Sequence, residues 1–254
     1  AALVAGLYFV LPKFEKKWDP EKLTSDMEKR FGDLIEEQIR NDATFVESKT
    51  VNQALKTIQD RLLSTETNIG FPVRILVVRN TAVNAFTFPG GLVIIHTGLL
   101  AKSESPEEVA GVLAHEFGHI AHRDSLKALY RQVGLSIIVN VVTGGRSDQV
   151  QDLITQLLGI RFTRIQEGEA DDYAIDLMIR SGINPEALAR FFEKLKKESS
   201  SLDEVTKFLD SHPDTEGRMK KARAAGKKFD PKKARPFALD WARVKKKLPS
   251  VLAE

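Results

Sequence analysis

No cysteine occurs among the 254 residues. That excludes a disulfide scaffold, an iron–sulfur cluster, a thiol nucleophile and a cysteine-type zinc finger. Any site for a transition metal must be built from the five histidines and from carboxylates. Long apolar runs are also missing. The opening Ala1–Pro12 stretch and the segment Val133–Val142 are both far shorter than the ~20 residues that span a bilayer. Glycine (16) and proline (10) are too sparse for a low-complexity chain. What remains is an ordinary globular composition, 42% hydrophobic and 29% charged.

The charge is unevenly spread. Between Met219 and Lys247 lie twelve Lys or Arg against Asp230 and Asp240, a local +10 in a chain of +3, so the rest carries −7. An acidic body with one basic end does not read as a nucleic-acid-binding domain. The basic stretch is either a solvated helical face or a patch drawn to anionic lipid or an acidic partner. Three regions are expected: an apolar arm over 1–18, either the remnant of a signal or anchor or an arm packing on the body; a main folded domain over 19–225; and a basic tail over 226–254.

Periodicity places helices at 19–40 and 51–63, the second with Val51, Leu55, Ile58 and Leu62 on one face. A break at Asn68–Gly70 precedes a β-branched strand, Pro72–Val78. Asn84–Phe88, the turn Pro89-Gly90-Gly91 and Leu92–Ile95 read as a hairpin. Ser105-Pro106-Glu107-Glu108 then starts a helix, with Ser at the cap and Glu108 closing a capping box. Further helices are expected at 106–122, 124–142, 148–159, 162–181, 185–198, 202–210 and 213–225. Helices, a small sheet, then helices make an α+β fold with one core.

The chemistry sits in the helix that starts at Pro106. His115-Glu116-Phe117-Gly118-His119 puts two imidazoles at i and i+4, one above the other on one helical face, where both can bind one metal ion. Glu116, about 100° around the helix, reaches water at that ion without being forced into its coordination sphere. A catalytic zinc needs a third protein ligand. His122 is a poor one, because it lies roughly 10 Å along the axis from His115. Glu167 and Asp171 are better, at i and i+4 on a second helix whose Gly168, Ala170 and Ala174 favour close approach. One carboxylate can take the metal while the other accepts the spare N–H of a ligating His. Glu169 points to another face, and His96, after a strand, reads as structural.

These elements together, H-E-x-x-H, then E-x-x-A-D, with a Gly-Gly hairpin upstream, resemble metallopeptidase family 48 over roughly Phe71–Arg218. The resemblance implies a mainly helical gluzincin fold with a small β-sheet beside the active-site helix. It makes His115, His119 and Glu167 the ligands of one zinc ion per chain, Glu116 the catalytic base and Asp171 a carboxylate supporting a ligand. It covers Asn84-Ala85-Phe86 and Gly90-Gly91-Leu92-Val93-Ile94 as the strand region bordering the cleft. Ser211-His212-Pro213 with Arg218 is similar to the family's H-P-x-x-x-x-R segment, whose His lies near the zinc in some members. The chain is similar to the soluble or peripheral branch of the family, which makes a prenylated CaaX-type substrate doubtful.

The implied activity is zinc-dependent endoproteolysis of unfolded or misfolded membrane or envelope proteins, in the periplasm or at a membrane. Glu116 takes a proton from the attacking water and passes it to the leaving amine. His212 is the candidate second donor to the oxyanion, with a latch that blocks the zinc, or helix capping beside Pro213, as its rival roles. Arg218 either orients a substrate carbonyl or pairs with a carboxylate. Gly91, Leu92, Val93 and Ile94 are expected to bind an extended polypeptide by edge pairing, which suits unfolded substrates. Val133–Val142 and Leu153–Ile160 either flank the cleft or form core. Contact with a membrane surface is a further expectation, and nucleic acid is not. The alternative to a protease is a latent or chaperone-like peptide-binding module with a regulated metal site.

Overall fold

The computed structural model describes residues 23–66, 69–198, 212 and 215–248. The apolar arm over 1–18, the expected helix at 202–210, and Ser211 and Pro213 lie outside the described residues.

Helix α1 spans Ser25–Asp42 and is capped by Thr24, whose hydroxyl accepts from the Met27 amide. Helix α2 spans Lys49–Leu63 and buries Val51, Leu55, Ile58 and Leu62, the face set by their spacing. Three strands follow: β1 (Arg74–Val78), β2 (Ala85–Phe88) and β3 (Leu92–His96). Their order is β1-β3-β2, with β1 parallel and β2 antiparallel to β3. Gly90 and Gly91, at φ +74° and +80°, make the tight link between β2 and β3.

Helices α3 (Thr97–Lys102) and α4 (Pro106–Ala121) come next. Ser105 caps α4 as expected, but Glu108 does not close the box on Ser105: its carboxylate accepts from the Glu104 amide and from Lys194. The single helix expected over 124–142 is two, α5 (Asp124–Val133) and α6 (Leu135–Gly144). Gly134, at φ +79° and ψ 162°, takes a conformation open only to glycine and turns the chain. Then come α7 (Ser147–Leu158), α8 (Arg164–Arg180), α9 (Glu186–Glu198), α10 (Thr215–Lys228) and α11 (Trp241–Lys246).

The sheet is buried on both faces, which is why β3 reads as an unbroken apolar run. Alternation sends Val93 and Ile95 toward a core shared with α2, α4, α8 and α9. It sends Leu92 and Ile94 toward a second core shared with α1, α5, α6 and α7. Residues 226–248 pack against the body of the domain. Phe237, Trp241 and Val244 join the first core, and the Trp241 indole donates to the Ser103 carbonyl. The basic residues dominate the composition there, but these three apolar side chains decide where it packs. No helix among the described residues is long and apolar enough to cross a membrane.

Candidate metal centre

Helix α4 is buried along nearly its whole length and carries His115, Glu116 and His119, each 0% exposed. Helix α8 crosses it closely. A Cβ on Gly118 would lie 2.9 Å from the Ala170 Cα, so only glycine permits this approach. Ala170 and Ala174 are buried at the contact, whereas Gly168 faces open space and plays no part in it. The crossing delivers Glu167 to the two histidines.

The Nε2 atoms of His115 and His119 stand 3.1 Å apart. Glu167 lies 3.6 Å from the first through Oε2 and 3.5 Å from the second through Oε1. A tetrahedral ion with bonds of about 2.1 Å separates its ligand atoms by about 3.4 Å. The three groups therefore fit one small cation. His212 Nδ1 adds a fourth corner, 3.3 Å from His115 Nε2 and 3.0 Å from Glu167 Oε1. These four residues offer ligand atoms that all lie within 4.8 Å of one another.

The spare ring nitrogens are occupied. His115 Nδ1 lies 3.1 Å from Asp171 Oδ1, the contact the i, i+4 spacing anticipates. His119 Nδ1 lies 2.8 Å from Asp124 Oδ2, and Gln166 donates to the other Asp124 oxygen. Asp124 is not among the sequence candidates. It reaches back only because Arg123 adopts a left-handed conformation (φ 54°) after α4, held there by Glu28 and the Leu23 carbonyl. Phe162 stacks on the His119 ring at 3.9 Å. Arg218, from α10, pairs with Glu167 at 2.6 Å and with Asp171 at 2.9 Å, and its Nη2 lies 3.1 Å from His115 Nε2.

Burial, reinforced by the Arg218 charge, pushes the His115 pKa down to about 4. His119 is equally buried, but its bonds to Asp124 and Glu167 overcome that and raise its pKa to about 9. Burial opposes ionisation of Glu167, yet the neighbouring His212 ring and the Arg218 guanidinium hold its carboxyl far below the usual carboxylate range. Against the same desolvation, Arg218 lowers Asp171 to about 2.

Glu116 turns Oε1 toward a cleft lined by Ala85, Phe86, Leu157, Ile160, Phe162 and His212. The strand at this cleft is β2. The expectation that Gly91–Ile94 binds substrate by edge pairing is corrected: β3 is the central strand, and its hydrogen-bonding edges are taken by β1 and β2. Just before β2, Asn84 gives its carbonyl to His96, while on β2 Thr87 turns its carbonyl away to accept from Ser125. Ala85, two residues before Thr87, shares that outward direction. Leu157 and Ile160 flank the cleft, whereas Ile138, Val141 and Val142 are core. His122 ends α4 against Tyr173, Glu169 is exposed, and His96 packs edge-on to Phe86, all three away from the cluster.

A family model described as Peptidase family M48 matches residues 49–225. The beta-barrel assembly-enhancing protease of Yersinia pestis is 29% identical over 222 residues, covering 82% of this chain and 46% of the relative. Metalloprotease YcaL of Escherichia coli (strain K12) is 33% identical over 153 residues, 57% of this chain and 58% of the relative. The mitochondrial metalloendopeptidase OMA1 of Arabidopsis thaliana is 32% identical over 152 residues, 59% of this chain and 31% of the relative. The chain spans about half the length of the curated relatives it matches most extensively. The matched region holds the metal cluster, both helices that build it and the sheet beside them, and on that ground the chain belongs to peptidase family M48.

Proposed function

We propose that the protein is a zinc-dependent endopeptidase acting on unfolded or misfolded polypeptides of the cell envelope, periplasmic or membrane-associated. The observation that carries this is the convergence of His115, His119 and Glu167 on one point, with the Glu116 carboxylate beside it. Their nitrogen and oxygen donors suit one zinc ion, which when bound polarises a carbonyl and acidifies water. Asp171 and Asp124 hold the two imidazoles with Nε2 turned inward. Glu116 takes the proton of the attacking water and returns it to the leaving amine. The outward carbonyl of Ala85 on β2, whose amide is taken by the Asn84 side chain, suits accepting a main-chain hydrogen bond from an extended peptide, which favours unfolded substrates. The Yersinia relative's name, a protease that enhances β-barrel assembly, supports unassembled polypeptides as the substrate class. Exposed Lys227, Lys228, Lys232, Lys233, Lys246 and Lys247 suit contact with an anionic membrane surface.

The test couples metal analysis to hydrolysis. One zinc per chain and cleavage of casein are expected; Glu116→Gln abolishes cleavage and keeps the zinc, whereas His115→Ala and Glu167→Ala lose it. Cleavage that survives Glu116→Gln refutes the mechanism.

A second reading, a latent state of the same enzyme, is favoured by His212. Its Nδ1 stands at the fourth corner of the cluster, where water would otherwise enter. The cleft around it measures about 10 Å³, room for about one water. His212→Ala distinguishes the roles: removal of a latch raises casein cleavage, and loss of an oxyanion donor lowers it.

A further inference from the structure

Thr87 joins β2 to the helix that carries the motif. It is 8% exposed, and its carbonyl accepts from the buried Ser125 hydroxyl at 2.6 Å. Its own hydroxyl lies 2.5 Å from Glu116 Oε2 and 3.3 Å from the Glu116 carbonyl oxygen. A hydroxyl has one proton to give. The shorter contact has the length of a charge-assisted O–H···O⁻ bond, and the longer one does not. The proton therefore goes to the carboxylate. Glu116 Oε1 has no hydrogen-bond partner among the described residues and points into the cleft, 3.8 Å from His212 Nε2.

We propose that Thr87 is a positioning residue: it grips Glu116 by Oε2 so that Oε1 alone is presented to the reacting water. The proposal rests on the reading of Glu116 as the base. A glutamate has three rotatable side-chain bonds, and a general base works only within about 2.6–3.2 Å of the proton it removes. A displacement of about 1 Å can cost about a hundredfold in rate. The grip is firm because its donor is fixed from two sides, by the β2–β3 ladder and by Ser125. Ser125 follows Asp124, so the same corner of the chain orients both His119 and, through Thr87, Glu116.

The test uses Thr87→Val, which keeps the shape and the β-branch but removes the hydroxyl, and Thr87→Ser, which keeps the hydroxyl. With labelled casein, Thr87→Val is expected to lower kcat about tenfold at unchanged KM and zinc content, while Thr87→Ser stays within about threefold of the parent. In metal-free protein, the melting-temperature losses of Thr87→Val and Glu116→Ala should fall short of adding in the double variant. Additive losses, a Thr87→Ser variant as slow as Thr87→Val, an unchanged kcat in Thr87→Val, or a defect in KM or zinc content would each overturn the proposal alone. Full activity in Glu116→Gln would overturn the underlying reading together with it.

Discussion

His115 and His119 are held by the carboxylates behind them. Asp124 and Asp171 each accept one ring N–H, which fixes the tautomer and turns Nε2 toward Glu167. Replacing either should lower zinc affinity by about 10–100-fold without unfolding the domain, as measured by competition with a chromogenic chelator. The two histidines differ in their protons. His119, raised to about 9, is protonated in metal-free protein at pH 8, and zinc must displace that proton; His115, lowered to about 4, has none to give. Zinc uptake at pH 8 is therefore expected to release one proton from this pair, and at pH 10 none, read by calorimetry in buffers of different ionisation enthalpy. Equal release at both pH values would contradict the assignment. The pair His115 and His119 is legible in the sequence because one turn of one helix sets their geometry. Asp124 is not, because its reach depends on the left-handed turn at Arg123, which Glu28 stabilises from 95 residues earlier in the chain.

At the scale of elements, the site is a crossing of α4 and α8, and the crossing depends on one missing side chain. Gly118→Ala would set a methyl 2.9 Å from the Ala170 Cα and 3.0 Å from its carbonyl oxygen. Backbone cannot step aside as a side chain can. The expected cost is about 1–3 kcal/mol of stability, with Glu167 displaced from the histidines. Zinc affinity should fall together with the melting temperature, and a variant that keeps both would show that the crossing tolerates a wider spacing. By contrast, Gly168→Ala meets nothing within 4 Å and should change neither. The sequence shows that α8 is rich in small residues but not which of them touches α4. It likewise shows a hairpin over 84–95 but not that β1 pairs with the second strand and leaves β2 at the cleft. Pairing between distant segments leaves no periodic trace in either of them. The break at Gly134 is a similar case, since an isolated glycine in an apolar run is tolerated in many helices.

Across the whole molecule, the metal centre gathers α4, α8 and the segment carrying His212, and α10 closes over it through Arg218. A metal ion held there would therefore add to the stability of the fold as well as supply its chemistry. Zinc at about a thousand times its dissociation constant stabilises the folded state by about 4 kcal/mol. For a chain of this size each kcal/mol moves the melting temperature by about 2–4 °C, so chelation should lower it by about 10 °C. Glu167→Ala should melt at the same temperature with and without chelator. The metal-free protein should also have its stability optimum near pH 6.5. His119, with its folded pKa raised from 6.5 to about 9, contributes stability that is complete below 6.5 and lost as pH rises through 9. His115, with its folded pKa lowered to about 4, stays neutral while the unfolded chain takes up a proton, so stability is lost as pH falls from 6.5 toward 4. Asp171, lowered from 3.8 to about 2, adds a further loss only as pH falls from about 4 toward 2. Melting curves of chelated protein from pH 4 to 10 test this directly: a plateau through pH 6–9 would show that His119 is not held protonated by Asp124 and Glu167, and a plateau through pH 4–6 would show that His115 is not held neutral.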